Sequence, residues 1–381
     1  MQSERINKLF FEHKENSLSH RYITNKHIEP LLENLPQSFH VETIGRSVLN
    51  NPIHGIKIGH GAKKILMWSQ MHGNESTTTK ALFDLFNTFL NLDSGLQHVL
   101  EACTLYVIPI LNPDGAEVYT RINANEVDLN RDAQKLSQPE SKVLRKIFES
   151  FKPNFCYNLH GQRTIFSAGK GNKSATVSFL APAQDIDCTI TPNRKVAMEI
   201  IGVMHRALQD TIPNQVGVYD DAFNLNCVGD TFQRENVPTI LFEAGHYEND
   251  YARDITRKFI YMSYIVSLEY ISKNEINGSN YKSYLSIPEN DKSFLDVIIR
   301  NAKVNGELVD IGIQYQERLK EGKLEFMPKI EKIEKLNQFF GHKEIDANRS
   351  EVLTASGDLL QLGYENVFVI LNNEKLLLLS K

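Results

Sequence analysis

The chain is expected to fold as an α/β protein, with a mixed, largely parallel sheet and helices on both faces, followed by a smaller, mostly β region. Three observations carry that expectation. Between about residue 40 and residue 272, short apolar runs of strand length alternate with segments whose apolar residues recur at helical spacing. Chemically loaded side chains fall just past the ends of several of these runs, where ligands gather in open α/β sheets. After Ser272 the helical spacing stops and short β-like runs take over.

Taken in order, residues 1 to about 35 read as two short helices that cap the main domain, the second around residues 27–35, with Pro30 tolerable only in its first turn. Strands follow at residues 39–44 and 55–59, then a buried strand at 63–70 that runs into a helix ending near Phe89. Residues 104–110 read as a strand, 139–151 as a helix and 154–160 as a strand. A helix at 192–209, a strand at 237–243 and a helix at 254–272 close the series. Polar residues 274–280, ending in Asn277-Gly278-Ser279-Asn280, read as a linker. The expected division is therefore a main α/β domain over residues 1–272, with its cap at 1–35, and a β-rich domain over 281–381 to which no motif gives a role.

Composition narrows the class. In 381 residues, 41% hydrophobic content is ample for a core, and a net charge of -5 makes neither nucleic acid nor an anionic membrane the default partner. Cys103, Cys156, Cys188 and Cys227 form no CxxC pair and read as reduced core residues, not a disulfide frame or a cysteine zinc site. The amino-terminal segment lacks the uninterrupted apolar core of a secretory signal, and no stretch is apolar enough to span a bilayer, so a cytoplasmic location is expected.

The chemistry centres on His72-Gly73-Asn74-Glu75, at a strand-to-helix turn. An imidazole three residues before a carboxylate can grip a divalent ion, although the pair alone equally describes a surface turn with a helix-starting glutamate. Further segments follow: Asn112-Pro113-Asp114-Gly115, Arg121 through Asp128-Leu129-Asn130-Arg131, Leu159-His160, and Leu241-Phe242-Glu243.

Together these segments resemble the zinc carboxypeptidases of the carboxypeptidase A type, the M14 peptidases, over roughly residues 40–270. The resemblance implies one Zn2+ per chain, held by His72, Glu75 and His160 with a fourth position left for water. Glu243 would be the general base, and Asp128 would fix a zinc histidine through its second ring nitrogen. Asn130 and Arg131 would take the substrate's terminal carboxylate, Arg121 would stabilise charge in the transition state, and Tyr219 would reach in from a loop. The implied substrate is a short peptide with a free C-terminal carboxylate; the oligomeric state stays open. The chain departs from the pattern at Gly161, where many members carry serine.

The pocket for the terminal side chain is expected within residues 220–234. Asp221 or Asp230 facing inward would favour a basic or diaminopimelate-like end, and Arg234 an acidic one. His246 is expected to hydrogen-bond locally. Two other readings compete. The metal turn also resembles that of the aspartoacylase and succinylglutamate desuccinylase group, which cleaves N-acyl amino acids. A non-catalytic module that binds peptide termini is the other; the presence of all three candidate ligands and the base disfavours it.

Overall fold

The computed structural model describes residues 2–379. The chain opens with α1 (Gln2–His13) and α2 (Asn25–Glu33), then β1 (His40–Arg46), β2 (Pro52–Gly59), β3 (Lys63–Ser69) and α3 (Thr77–Leu90). Next come α4 (Gln97–Ala102), β4 (Cys103–Ile108), α5 (Pro113–Glu117), α6 (Pro139–Phe151), β5 (Phe155–Gly161), β6 (Ser167–Ala168) and β7 (Val177–Leu180). The first region ends with α7 (Pro192–Gln209), β8 (Val216–Val218), α8 (Val228–Arg234), β9 (Thr239–Ala244) and α9 (Asp254–Lys273).

Eight strands form one mixed sheet in the order β1-β2-β4-β3-β5-β9-β7-β8. The central run β4-β3-β5-β9 is parallel, while β1, β2 and β7 pair antiparallel to their inner neighbours. Helices cover both faces, so the central strands must be apolar on both sides, and β3 is: Ile65 and Met67 point into one core with Phe86 and Tyr264, Leu66 and Trp68 into the other with Phe148 and Phe232. The chain leaves β3 for β4 on one side and returns to β5 on the other. That reversal opens a crevice at the carboxyl ends of β3, β5 and β9.

The helix α2 begins earlier than expected. Thr24 caps it, with His27 Nδ1 accepting from the Thr24 backbone N–H at 3.0 Å, so Pro30 lies beyond the first turn. The helix accepts the loss of one backbone bond because it is short and buries Ile28 and Leu32.

Beyond the large sheet come β10 (Asn290–Asp291), β11 (Phe294–Val304), β12 (Glu307–Lys320), β13 (Lys323–Glu334), β14 (Phe340–Asp346), β15 (Val352–Leu353), β16 (Phe368–Leu371) and β17 (Glu374–Leu377). They make a four-stranded sheet, β13-β12-β11-β14, and a three-stranded sheet, β15-β16-β17, around a separate apolar core that includes Val297, Ile311 and Val369. This mostly β region is fastened to the α/β region at several points. β10 pairs with β6, the Phe294 N–H donates to Ile165 O at 3.0 Å, and Gln314 Nε2 donates to Thr164 Oγ1 at 2.7 Å. His246 lies in this seam and corrects the sequence expectation: both its ring nitrogens are buried without a hydrogen-bond partner, and its ring packs 4.3 Å from His342 and 4.7 Å from Tyr251. The seam is aromatic, and this histidine is packed where it was expected to be hydrogen-bonded.

Candidate active site

The turn after β3 is set by Gln70, which takes a left-handed backbone (φ 42°) while fully buried. Such a residue costs about 1–2 kcal/mol and needs fixing from outside. Its amide donates to Ile23 O at 3.0 Å and Gly73 O at 2.8 Å, and Thr79 Oγ1 donates to its carbonyl at 2.8 Å. The next turn then aims His72 and Glu75 into the crevice. His160, at the end of β5, lies directly opposite Glu243 of β9 in the parallel ladder.

His72, Glu75 and His160 meet with every candidate ligand atom within 4.8 Å of the others. Nδ1 of His160 lies 3.0 Å from Nδ1 of His72 and 2.9 Å from Glu75 Oε2, while Glu75 Oε1 lies 2.9 Å from His72 Nδ1. Two imidazole nitrogens at that separation can share at most one proton, so the cluster is a cradle for positive charge. Two histidines and a carboxylate suit zinc, and the residues present fit the ion. The other nitrogen of His72, Nε2, lies 3.1 Å from Asp128 Oδ1, which fixes the ring and leaves Nδ1 facing Glu75. Burial disfavours a charged His72 ring, yet Glu75 and Asp128 outweigh it and hold its pKa above the ordinary value.

Arg121 lies across this cluster. Its Nε and a terminal nitrogen each reach Asp128 Oδ2 at 3.0 Å, and another terminal nitrogen is 3.5 Å from Glu75 Oε1. Asn130 Oδ1 accepts from the Val228 N–H at 3.1 Å, while Arg131 is exposed and lines the same cavity. Glu243 faces inward too, its Oε2 buried with no hydrogen-bond partner. Burial, then the negative charge of Glu75, push its carboxyl well above the usual range. Tyr219 follows β8 and lines the cavity, packed edge-on against Phe166 at 5.2 Å. Eight of the nine site residues read from the sequence thus border one cavity of about 800 Å³; the ninth, Asp128, stands behind His72.

The charged candidates at 220–234 separate. Asp221 is paired with the buried Arg194, and Arg234 is exposed away from the cavity. Asp230 is buried on the cavity wall, accepting from the Asn224 N–H at 3.2 Å, and burial pushes its carboxyl up to about 6. Cys227 is no core residue: it also lines the cavity. Sequence reasoning missed Arg253, whose buried guanidinium donates to the carbonyls of Ala244, Gly245 and Gln162, and it missed Arg21 and Glu317. Arg253 stands ten residues past Glu243, a proximity that could have drawn attention to it; nothing local distinguishes Arg21 or Glu317.

Comparison with known proteins bears on this geometry. The family described as zinc carboxypeptidase, Peptidase M14, matches residues 24–226, more than half of the chain. The chain belongs to that zinc carboxypeptidase family. Carboxypeptidase 2 of Trichophyton rubrum is 28% identical over 111 residues, a stretch that is 29% of this M14 chain and 20% of that protein. The likeness thus spans about a fifth of the length of that curated relative. Among solved structures, the carboxypeptidase A of Helicoverpa armigera aligns with a TM-score of 0.52 at 17% identity, over 71% of this chain and 80% of its own. A metallo-carboxypeptidase from Burkholderia cenocepacia aligns with a TM-score of 0.51 at 15% identity, over 65% and 70% of the two chains. At such identities these structures speak for the M14 fold alone. Among the described residues no helix is long and apolar enough to cross a membrane.

Proposed function

We propose that the chain is a zinc-dependent carboxypeptidase that hydrolyses the C-terminal peptide bond of substrates with a free carboxyl end. The observation that carries this reading is the convergence of His72, Glu75 and His160 with Glu243, Arg121 and Arg131 on one cavity. Zinc held by His72, Glu75 and His160 would polarise the scissile carbonyl and lower the pKa of a water. Asp128 keeps the His72 ring turned so that Nδ1 faces the ion site. Glu243, unpaired and raised in pKa, takes a proton from the attacking water and returns it to the leaving amine. Arg121 places positive charge beside the carbonyl oxygen as that oxygen becomes negative. Arg131, with Asn130 beside it, binds the free carboxylate and so excludes internal bonds.

Asp230 on the wall favours a basic or diaminopimelate-like terminal side chain, since Asp221 is occupied by Arg194 and Arg234 points elsewhere. The deciding experiment measures metal content, and activity on free-ended and C-terminally amidated peptides and on N-acetylaspartate, before and after chelation. Stoichiometric zinc with chelator-sensitive release of the last residue from free ends alone is the expected result. Activity confined to the acyl amino acid would replace this reading with a deacylase.

A further inference from the structure

We propose that strand β12 of the C-terminal region is the far wall of the substrate cleft and limits substrates to peptides of two or three residues. This rests on the carboxypeptidase reading and gives the C-terminal region a role in substrate selection. Of the residues bordering the cavity, His72, Glu75 and His160 are taken up by the metal, Asn130 and Arg131 by the carboxylate, and Asp230 by the terminal side chain. Those left to meet the acyl side of the substrate include Arg21, Tyr315, Gln316 and Glu317. Three of these four are consecutive in β12.

The wall is anchored on both sides of the metal cluster. Both Glu317 carboxylate oxygens are taken by Arg21, at 2.7 and 2.8 Å, and Tyr119 Oη donates to Oε2 at 2.8 Å. Such a two-pronged arginine pair fixes orientation as well as distance. The Arg21 carbonyl in turn accepts from Ser76 Oγ, directly after the metal-turn Glu75, at 2.5 Å. At the other end, Gln314 Nε2 donates to Thr164 Oγ1 at 2.7 Å and His342 Nε2 to the Thr164 carbonyl at 2.8 Å, four residues past His160. One strand therefore bridges from the His72 turn to the His160 loop. A long peptide placed with its carboxylate at Arg131 would have to run its amino-terminal part through this bridge. A cavity of about 800 Å³ falls in the range of sites that enclose small ligands.

The test is a ladder of free-ended peptides, from dipeptide to octapeptide, all ending in Ala-Lys, assayed with the zinc-loaded full chain. The expected result is a kcat/KM at least about tenfold higher for the dipeptide and tripeptide than for the octapeptide. In Glu317→Ala, which frees Arg21, the ratio of octapeptide to tripeptide kcat/KM should rise at least about fivefold. Octapeptides cleaved as well as tripeptides by the unaltered protein would overturn the wall and leave the carboxypeptidase reading standing. A folded Glu317→Ala protein whose octapeptide-to-tripeptide ratio matches that of the unaltered protein would also overturn it. Should that variant fail to fold, the ladder on the unaltered protein decides alone. Turnover of no peptide at any length would overturn both the wall and the reading beneath it.

Discussion

Glu243 is held where a carboxylate resists ionisation: Oε2 has no donor, and the negative Glu75 is nearby. Once ionised, a carboxylate of raised proton affinity takes up a proton readily, which is the property a base needs. Glu243→Gln keeps the shape and removes the basicity, so it should retain zinc while kcat falls by about a thousandfold or more. Metal analysis beside turnover measurements separates this from simple loss of the site; unchanged turnover would remove Glu243 from the mechanism. Asp230 gives a pH signature. Burial lifts its carboxyl from the ordinary 3.8 to about 6, so it is neutral below that pH and charged above it. The ratio of kcat/KM for lysine-ended over leucine-ended peptides should climb as pH rises through about 6, because titrations common to both substrates cancel in the ratio. A ratio that stays flat across that range would take Asp230 out of the specificity pocket. The same shift has the opposite sign for stability: the folded chain holds this proton longer than the unfolded one, so Asp230 costs stability as pH rises from near 3.8 to about 6 and nothing further beyond.

At the scale of elements, the Asn112-Pro113-Asp114-Gly115 segment stands apart from the chemistry and shapes the turn that carries it. Asn112 caps α5 by accepting from the Gly115 N–H at 2.9 Å, and Asp114 is consumed by Ser47, Leu49 and Asn51. Gly115 then packs against Gly73 so closely that a Cβ on Gly73 would lie 2.0 Å from the Gly115 carbonyl carbon. Backbone on backbone cannot yield as a flexible side chain can. Gly73→Ala should therefore cost about 1–3 kcal/mol in denaturant unfolding and weaken zinc binding, because the shift falls between His72 and Glu75; a variant with the original midpoint and metal affinity would contradict this role. Much at this scale was legible in the sequence. The helices α6 and α7 begin at Pro139 and Pro192, and proline at a first helical position marks a start. The strands β3 and β5 were visible as short runs apolar on both faces. The beginning of α2 was missed because His27 does the capping work usually done by glutamate or glutamine.

At the scale of the molecule, the two regions share hydrogen bonds, a strand pair and the aromatic packing of His246, Tyr251, Tyr315 and His342. Regions joined this way should unfold together, so calorimetry should record one cooperative transition whose van't Hoff and calorimetric enthalpies agree. Two resolved transitions would mean the seam contributes little. Here sequence reading reached its limit. It separated a β region after residue 280 and assigned it no part in the site, because Arg21 and Glu317 lie 296 positions apart and neither sits in a recognisable pattern. Periodicity reports which face of an element is buried; it carries no record of which distant element buries it. The candidate metal cluster was readable because its residues sit in local motifs, whereas the proposed wall is made of ordinary residues given meaning only by the partners that folding brings to them.

The Arg21 to Glu317 clamp also orders events in time. Synthesis runs from the amino terminus, so the segments that carry His72, Glu75, His160 and Glu243 all emerge before β12 is made. On the carboxypeptidase reading, a nascent chain at that stage would carry the groups of its chemistry before the strand that confers its selectivity, and closure of the clamp would be the last step in building a discriminating site.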